Sequence, residues 1–167
     1  MPIILITGGA RSGKSRRAEH RTQEFAGRPT YIATAEAFDD EMSHRILHHR
    51  ERRGPEWELR ETPLELAAVL HETDGSGPRL IDCLTLWVST LMHANRDWKC
   101  AADELADVLA RQSSPVILVT NEVGLGIVPD NALARAFRDA AGFVNQTIAA
   151  AACEVEMVVC GLPLRLK

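Results

Sequence analysis

No apolar run in this chain approaches the length of a bilayer-spanning helix, and its amino terminus has no basic stretch leading into a long apolar one. A soluble, unexported, cytoplasmic protein is expected. There is no C-x-x-C pair among the four cysteines, Cys83, Cys100, Cys153 and Cys160, which argues against a disulfide or zinc framework and fits a reducing compartment. Cys83 and Cys160 fall in or beside apolar runs and are expected to be buried free thiols. Internal repeats, low-complexity tracts and interdomain linkers are also missing, and the formal net charge is only -4, so nucleic acid is not an expected partner. Asn145-Gln146-Thr147 has the glycosylation pattern, but it sits inside a helical stretch and is read as chance.

What remains is 167 residues, 46% of them hydrophobic, enough for one core and one domain spanning 1–167. Apolar, β-rich runs recur at Ile3 to Thr7, Thr30 to Ala33, Arg79 to Asp82, Val116 to Thr120 and Val155 to Cys160. Helical composition separates them, at Ser15 to Phe25, Asp39 to Arg53, Leu64 to His71, Leu84 to Ala94, Ala101 to Gln112 and Asn131 to Ala152. Such alternation predicts crossover connections and a mostly parallel sheet flanked by helices, an α/β fold. Trp57 to Glu61 reads as a short edge strand. In the last helix, Leu133, Ala136, Phe137, Ala140, Ala141, Val144 and Ile148 recur at steps of three and four, a stripe expected to face the core.

Directly after the first strand, Gly8-Gly9-Ala10-Arg11-Ser12-Gly13-Lys14-Ser15 fits the P-loop pattern G-x-x-x-x-G-K-[ST]. Its glycines let backbone N–H groups turn inward as an anion nest, Lys14 brings a point charge for β- and γ-phosphates, and Ser15 can hold Mg²⁺. The helix that follows points its positive end at the same place. A P-loop also needs an acidic residue at the end of a neighbouring strand, and Asp82 closes the run Leu80-Ile81-Asp82. Asp82 is read as a Mg²⁺ ligand, as the N-cap of the helix from Leu84, or as both.

The segment Asp39 to Arg53 gathers acids at its start and bases at its end, as a helix dipole favours, and holds His44, His48 and His49, half of the chain's six histidines. His44 and His48 are spaced like a metal pair, but Arg45 takes the place of the H-E-x-x-H glutamate. Arg45, Arg50, Arg52 and Arg53 would repel a cation, so phosphate suits this face better than zinc. A neutral imidazole among arginines can also attack phosphorus. Asn121-Glu122-Val123-Gly124, after the strand ending in Thr120, is read either as a loop that touches substrate or as a turn bonded to its own backbone.

Together these stretches resemble the bifunctional adenosylcobinamide kinase / adenosylcobinamide-phosphate guanylyltransferase family of cobalamin biosynthesis, in the P-loop NTPase superfamily. The matching residues are Ile6 to Ser15, Tyr31-Ile32-Ala33-Thr34, Asp39 to Met42, Arg45-Ile46, His48-His49, Asp82-Cys83-Leu84-Thr85, and Thr120 to Gly124 with Ile127-Val128-Pro129. The resemblance implies a RecA-like core and two reactions. One moves a γ-phosphate from ATP or GTP to the aminopropanol hydroxyl of adenosylcobinamide. The other transfers GMP from GTP, through a guanylyl-histidine, to adenosylcobinamide-phosphate.

By position in the family's motifs, His48 is the nucleophile. Nucleotide contacts fall at Gly8, Gly9, Ala10, Arg11, Ser12, Gly13, Lys14 and Ser15, at Thr34, Ala35 and Glu36, at His49, Arg50, Glu51 and Arg52, at Glu61, and at Asp82, with Ser15 and Asp82 on Mg²⁺. Glu61 would accept from a ribose or from guanine N–H groups. Asp82 stands where some relatives carry Glu, and His44 matches no family position. The resemblance also implies a homo-oligomer, a trimer, and because a corrinoid is larger than any pocket one short chain readily encloses, a cleft between subunits is expected to hold it. The rival functions are a small-molecule kinase without a covalent intermediate and a nucleotide-gated regulatory ATPase.

Overall fold

The computed structural model describes residues 2–35 and 54–167. The helix expected at Asp39 to Arg53 lies outside them. The described elements run β1 (Ile3–Gly8), α1 (Lys14–Gln23), β2 (Thr30–Ala33), β3 (Glu58–Glu61), α2 (Leu66–Thr73), β4 (Arg79–Asp82), α3 (Leu84–His93), α4 (Trp98–Leu109), β5 (Val116–Val119), a 3-10 turn at Val123–Leu125, α5 (Ala132–Ala151), β6 (Glu154–Val159) and β7 (Leu162–Arg165). The strands form one sheet in the order β3-β2-β4-β5-β1-β6-β7, and every pairing is parallel except β6 with β7.

Successive side chains of a strand point to opposite faces, and the core divides accordingly. Ile3, Leu5, Ile81, Val116 and Leu118 meet α2, α3, α4 and α5 on one face. Ile4, Ile6, Leu80, Ile117 and Val119 pack with Ala18, Tyr31 and Trp57 on the other. Burial on both faces explains why these strands read as continuous apolar runs rather than alternating ones.

Helix α1 is an exception among the described helices, since it buries only Ala18 and Thr22. Charge holds it instead. Arg17 donates from Nε and Nη2 to the two Glu156 oxygens at 2.8 and 2.7 Å, and Arg21 Nη1 reaches Glu154 and Glu156, each at 2.6 Å. The Arg17 hydrogen bonds hold the Glu156 carboxyl below its ordinary range, with burial opposing and both arginine charges reinforcing them. This clamp ties α1 to β6, the strand beside β1.

Three sequence expectations change. Leu133 is 64% exposed and Ala136 is also exposed, so the α5 stripe is seated only from Phe137 onward. Periodicity sets where a side chain points, not whether a neighbour is there to meet it. Cys160 is exposed, because β6 ends at Val159 and Cys160-Gly161, at φ 53° and 80°, form the two-residue turn into β7. The strand β7 itself was not expected. Its Leu162-Pro163-Leu164-Arg165 is exposed along its length, with a proline at the sheet edge, where a missing N–H costs no ladder bond.

Candidate active site

The site forms where the parallel strands end. Register places Ala33 opposite both Glu61 and Asp82, and Val119 opposite both Asp82 and Ile6. The residues just beyond these positions, the P-loop after β1, Thr34-Ala35 after β2, Thr62 after β3, Cys83 after β4 and Asn121-Glu122 after β5, therefore share one edge. Ligands bind at this edge in open parallel sheets.

The P-loop is shaped by close backbone approach. A Cβ on Gly8 would lie 2.5 Å from the Val158 carbonyl oxygen and 2.7 Å from Ser12 Oγ. Gly13 has φ 97° and would bring a Cβ to 3.2 Å from Gly161 Cα. Ser12 carbonyl oxygen accepts from the Gly161 N–H at 2.8 Å, so the β6–β7 turn braces the loop from below. Ser12 Oγ is buried without a hydrogen-bond partner. A tight glycine cradle with an orphaned buried donor fits an anion.

Lys14 opens α1, and its Nζ donates to the Gly9 carbonyl at 3.0 Å. Burial lowers its pKa, and the attraction of Cys83 and Asp82 only partly offsets this. A half-buried cation whose one hydrogen bond among the described residues is to a carbonyl gains by meeting phosphate. Ser15 follows at the next position of α1.

Asp82 is half-buried, and its Oδ2 accepts from Tyr31 Oη at 3.2 Å. It is not an N-cap. Cys83 holds that position for α3, and no side chain caps it. Among the described residues no three carboxylates, thiols or imidazoles cluster as a metal site. A cation between Ser15 and Asp82 would take its remaining ligands from phosphate and water, as Mg²⁺ prefers. Cys83 is not a competing ligand, since burial pushes its thiol up to about 12.

Thr34 is fully buried, and its hydroxyl donates to the Cys83 carbonyl and accepts from the Cys83 N–H, both at 2.8 Å. Its side chain thus fixes the end of β4, while Ala35 is half-buried beside it. Glu61 is exposed at the end of β3. Four strand spacings separate β3 from β1, about 19 Å at ~4.8 Å each.

The Asn121-Glu122 turn closes on its own backbone only through the Leu125 N–H, which donates to the Glu122 carbonyl at 3.5 Å, while its side chains bond elsewhere. Asn121 Nδ2 and its backbone N–H both donate to Thr85 Oγ1, at 3.0 and 2.8 Å. Glu122 Oε1 accepts from Thr7 Oγ1 at 2.6 Å and from Asn145 Nδ2 at 3.4 Å, and the Glu122 N–H donates to the Gly8 carbonyl at 3.3 Å. Thr120 Oγ1 donates to Asn145 Oδ1 at 2.7 Å. The glycosylation-like Asn145 is thus a buttress inside the fold. A groove of about 300 Å³ between α3 and α5, lined by Met92, His93, Leu133 and Phe137 among others, holds none of these residues.

Residues 4–166 match the family model described as cobinamide kinase / cobinamide phosphate guanyltransferase. The chain belongs to this family. The cobinamide kinase / guanyltransferase relatives include the "bifunctional adenosylcobalamin biosynthesis protein CobP" of Pseudomonas aeruginosa, 44% identical over 98% of this chain and 96% of its own length. Two proteins named "bifunctional adenosylcobalamin biosynthesis protein CobU", from Salmonella typhimurium and Escherichia coli K12, are 44% and 43% identical, each over 99% of both chains. A likeness to the VirB11 ATPase crystal structure from the Brucella suis type IV secretion system, in complex with sulphate, is weak: TM-score 0.45 at 16% identity, over 93% of this chain and 43% of that one.

For a member of the cobinamide kinase / guanyltransferase family, the described residues bring together the P-loop, Thr34, Ala35, Glu61 and Asp82 at one sheet edge. Glu36, His44, His48, His49, Arg50, Glu51 and Arg52 lie outside the described residues. Two features were missed in the sequence: Tyr31 holds Asp82, and Gly161 braces the P-loop. Glu122 was singled out there as part of a substrate-touching loop or a local turn, but its bond into β1 was not foreseen.

Proposed function

We propose that this protein phosphorylates adenosylcobinamide on its aminopropanol hydroxyl and then caps the product with GMP, giving adenosylcobinamide-GDP. The observation that carries this reading is the full-length family match in a chain whose P-loop and Asp82 share one sheet edge. In the kinase step Lys14 and the loop N–H groups bind the β- and γ-phosphates of ATP or GTP. In the transferase step the His48 imidazole attacks the α-phosphorus of GTP, a P–N bond forms, and pyrophosphate leaves against Lys14. The phosphate oxygen of adenosylcobinamide-phosphate then attacks that phosphorus and the imidazole departs.

Mg²⁺, which Ser15 and Asp82 would hold, supplies charge neutralisation on the phosphates. Thr34, Ala35, Glu36, His49, Arg50, Glu51, Arg52 and Glu61 are assigned to the nucleotide. The protein acts in the cytoplasm. Among the described residues no helix is long and apolar enough to cross a membrane. A homotrimer is part of the reading, supported by exposed Leu125, Ile127, Val128, Leu162 and Leu164, apolar surface that association would cover.

Incubation with α-labelled GTP and Mg²⁺ is expected to leave an acid-labile, alkali-stable label on the protein, absent from His48→Ala. Equal labelling of the two proteins, or none of wild type, sinks the transferase mechanism.

A further inference from the structure

The structure gives the Glu122 carboxylate a position that neither the P-loop nor the metal pair accounts for. Strand β5 lies between β1, which carries the P-loop, and β4, which carries Asp82. Glu122 lies in the loop after that strand, beyond Thr120 and Asn121, and its backbone N–H bonds Gly8, the first residue of the P-loop. Its side chain does not cap the 3-10 turn that follows. One oxygen is pinned by Thr7 Oγ1 at 2.6 Å and Asn145 Nδ2 at 3.4 Å, while the second takes no hydrogen bond among the described residues.

Thr7 is 4% exposed, so the pinning bond is sheltered from water, yet Glu122 itself is only half-buried. A carboxylate fixed through one oxygen, with the other free and next to a phosphate cradle, is arranged to receive a proton. Asp82 is poorly placed for that work, being one strand farther from β1 and bonded to Tyr31.

We propose that Glu122 is the general base of the kinase half-reaction. As the aminopropanol oxygen forms its bond to the γ-phosphorus and the bond from that phosphorus to the β–γ bridging oxygen breaks, the hydroxyl proton passes to the free Glu122 oxygen. The nucleoside diphosphate leaves with the bridging oxygen, and the proton is later lost to water. This rests on the bifunctional reading above and separates its halves. The guanylyl acceptor is a phosphate oxygen that carries no such proton, so the second reaction has no use for the base.

The test assays each half-reaction in Glu122→Gln and Glu122→Asp. With adenosylcobinamide and MgATP, kcat for Glu122→Gln is expected to fall at least 100-fold, a typical contribution of a positioned base, with both KM values within threefold and partial recovery in Glu122→Asp. With adenosylcobinamide-phosphate and MgGTP, turnover is expected to change less than threefold. A kinase kcat within threefold of wild type overturns the base role. So does an equal loss of both half-reactions, or a raised Mg²⁺ requirement in both, since either makes Glu122 a support for the P-loop or the metal. Wild type lacking both half-reactions overturns the bifunctional reading itself.

Discussion

Gly8 has no room for a side chain, because the carbonyl oxygen that a Cβ would strike at 2.5 Å belongs to the backbone of the neighbouring strand β6. Gly8→Ala must therefore displace either the loop or β6. Nucleotide affinity, measured by calorimetry with MgGTP, is expected to drop at least tenfold. Full affinity in that variant would show that the loop as drawn is not the phosphate cradle. The same residue scale separates what was legible from what was not. The P-loop letters are a local pattern whose geometry follows from glycine and a helix start, so they could be read directly. That Tyr31 and Asp82 meet, 51 positions apart, depends on β2 and β4 being neighbours, and no local signal announces it.

At the scale of elements, α1 shows how a helix with little apolar surface is kept in place. Glu156 has only 5% of its side chain exposed and meets Arg17 and Arg21, so removing its charge strands Arg17 without a carboxylate partner. Glu156→Gln is expected to cost about 3 kcal/mol, the low end for breaking a buried pair, because Arg21 keeps Glu154 and Glu24. That corresponds to a melting temperature lowered by roughly 10 °C.

The pH dependence follows from the same clamp. The folded-state pKa of Glu156 lies below its ordinary 4.5, so its stabilisation is fully present above about pH 4.5 and fades as pH falls through the lower folded value. Thermal melts from pH 7 to pH 3 should fall less steeply for Glu156→Gln than for wild type. Parallel curves would deny the clamp its role. Helix boundaries at this scale were nearly legible, since α3, α4 and α5 fall close to their expected spans. The edge strand β7 was not, because its turn, Cys160-Gly161, lacks the usual Asn-Gly letters and its side chains face solvent.

For the whole molecule, the sheet order decides which loops converge. Exposed apolar residues gather in the loop after β5, where Ile127 is 97% exposed, and along β7. Sedimentation equilibrium is expected to return the mass of three 18.4-kDa chains; a single-chain mass at micromolar concentration rules out the trimer.

Composition and pattern by themselves determined an α/β fold with a P-loop on its first strand and an acid at the end of another, whereas the family rests on the likeness of whole stretches to known relatives. The former are properties of short segments, set by periodicity, glycine and charge. Only the tertiary structure decided that β5 is inserted between β1 and β4, which places Glu122 against Gly8 and leaves Asp82 to Tyr31. Strand order is a contest among long-range packings of similarly apolar strands, and no segment carries its outcome alone.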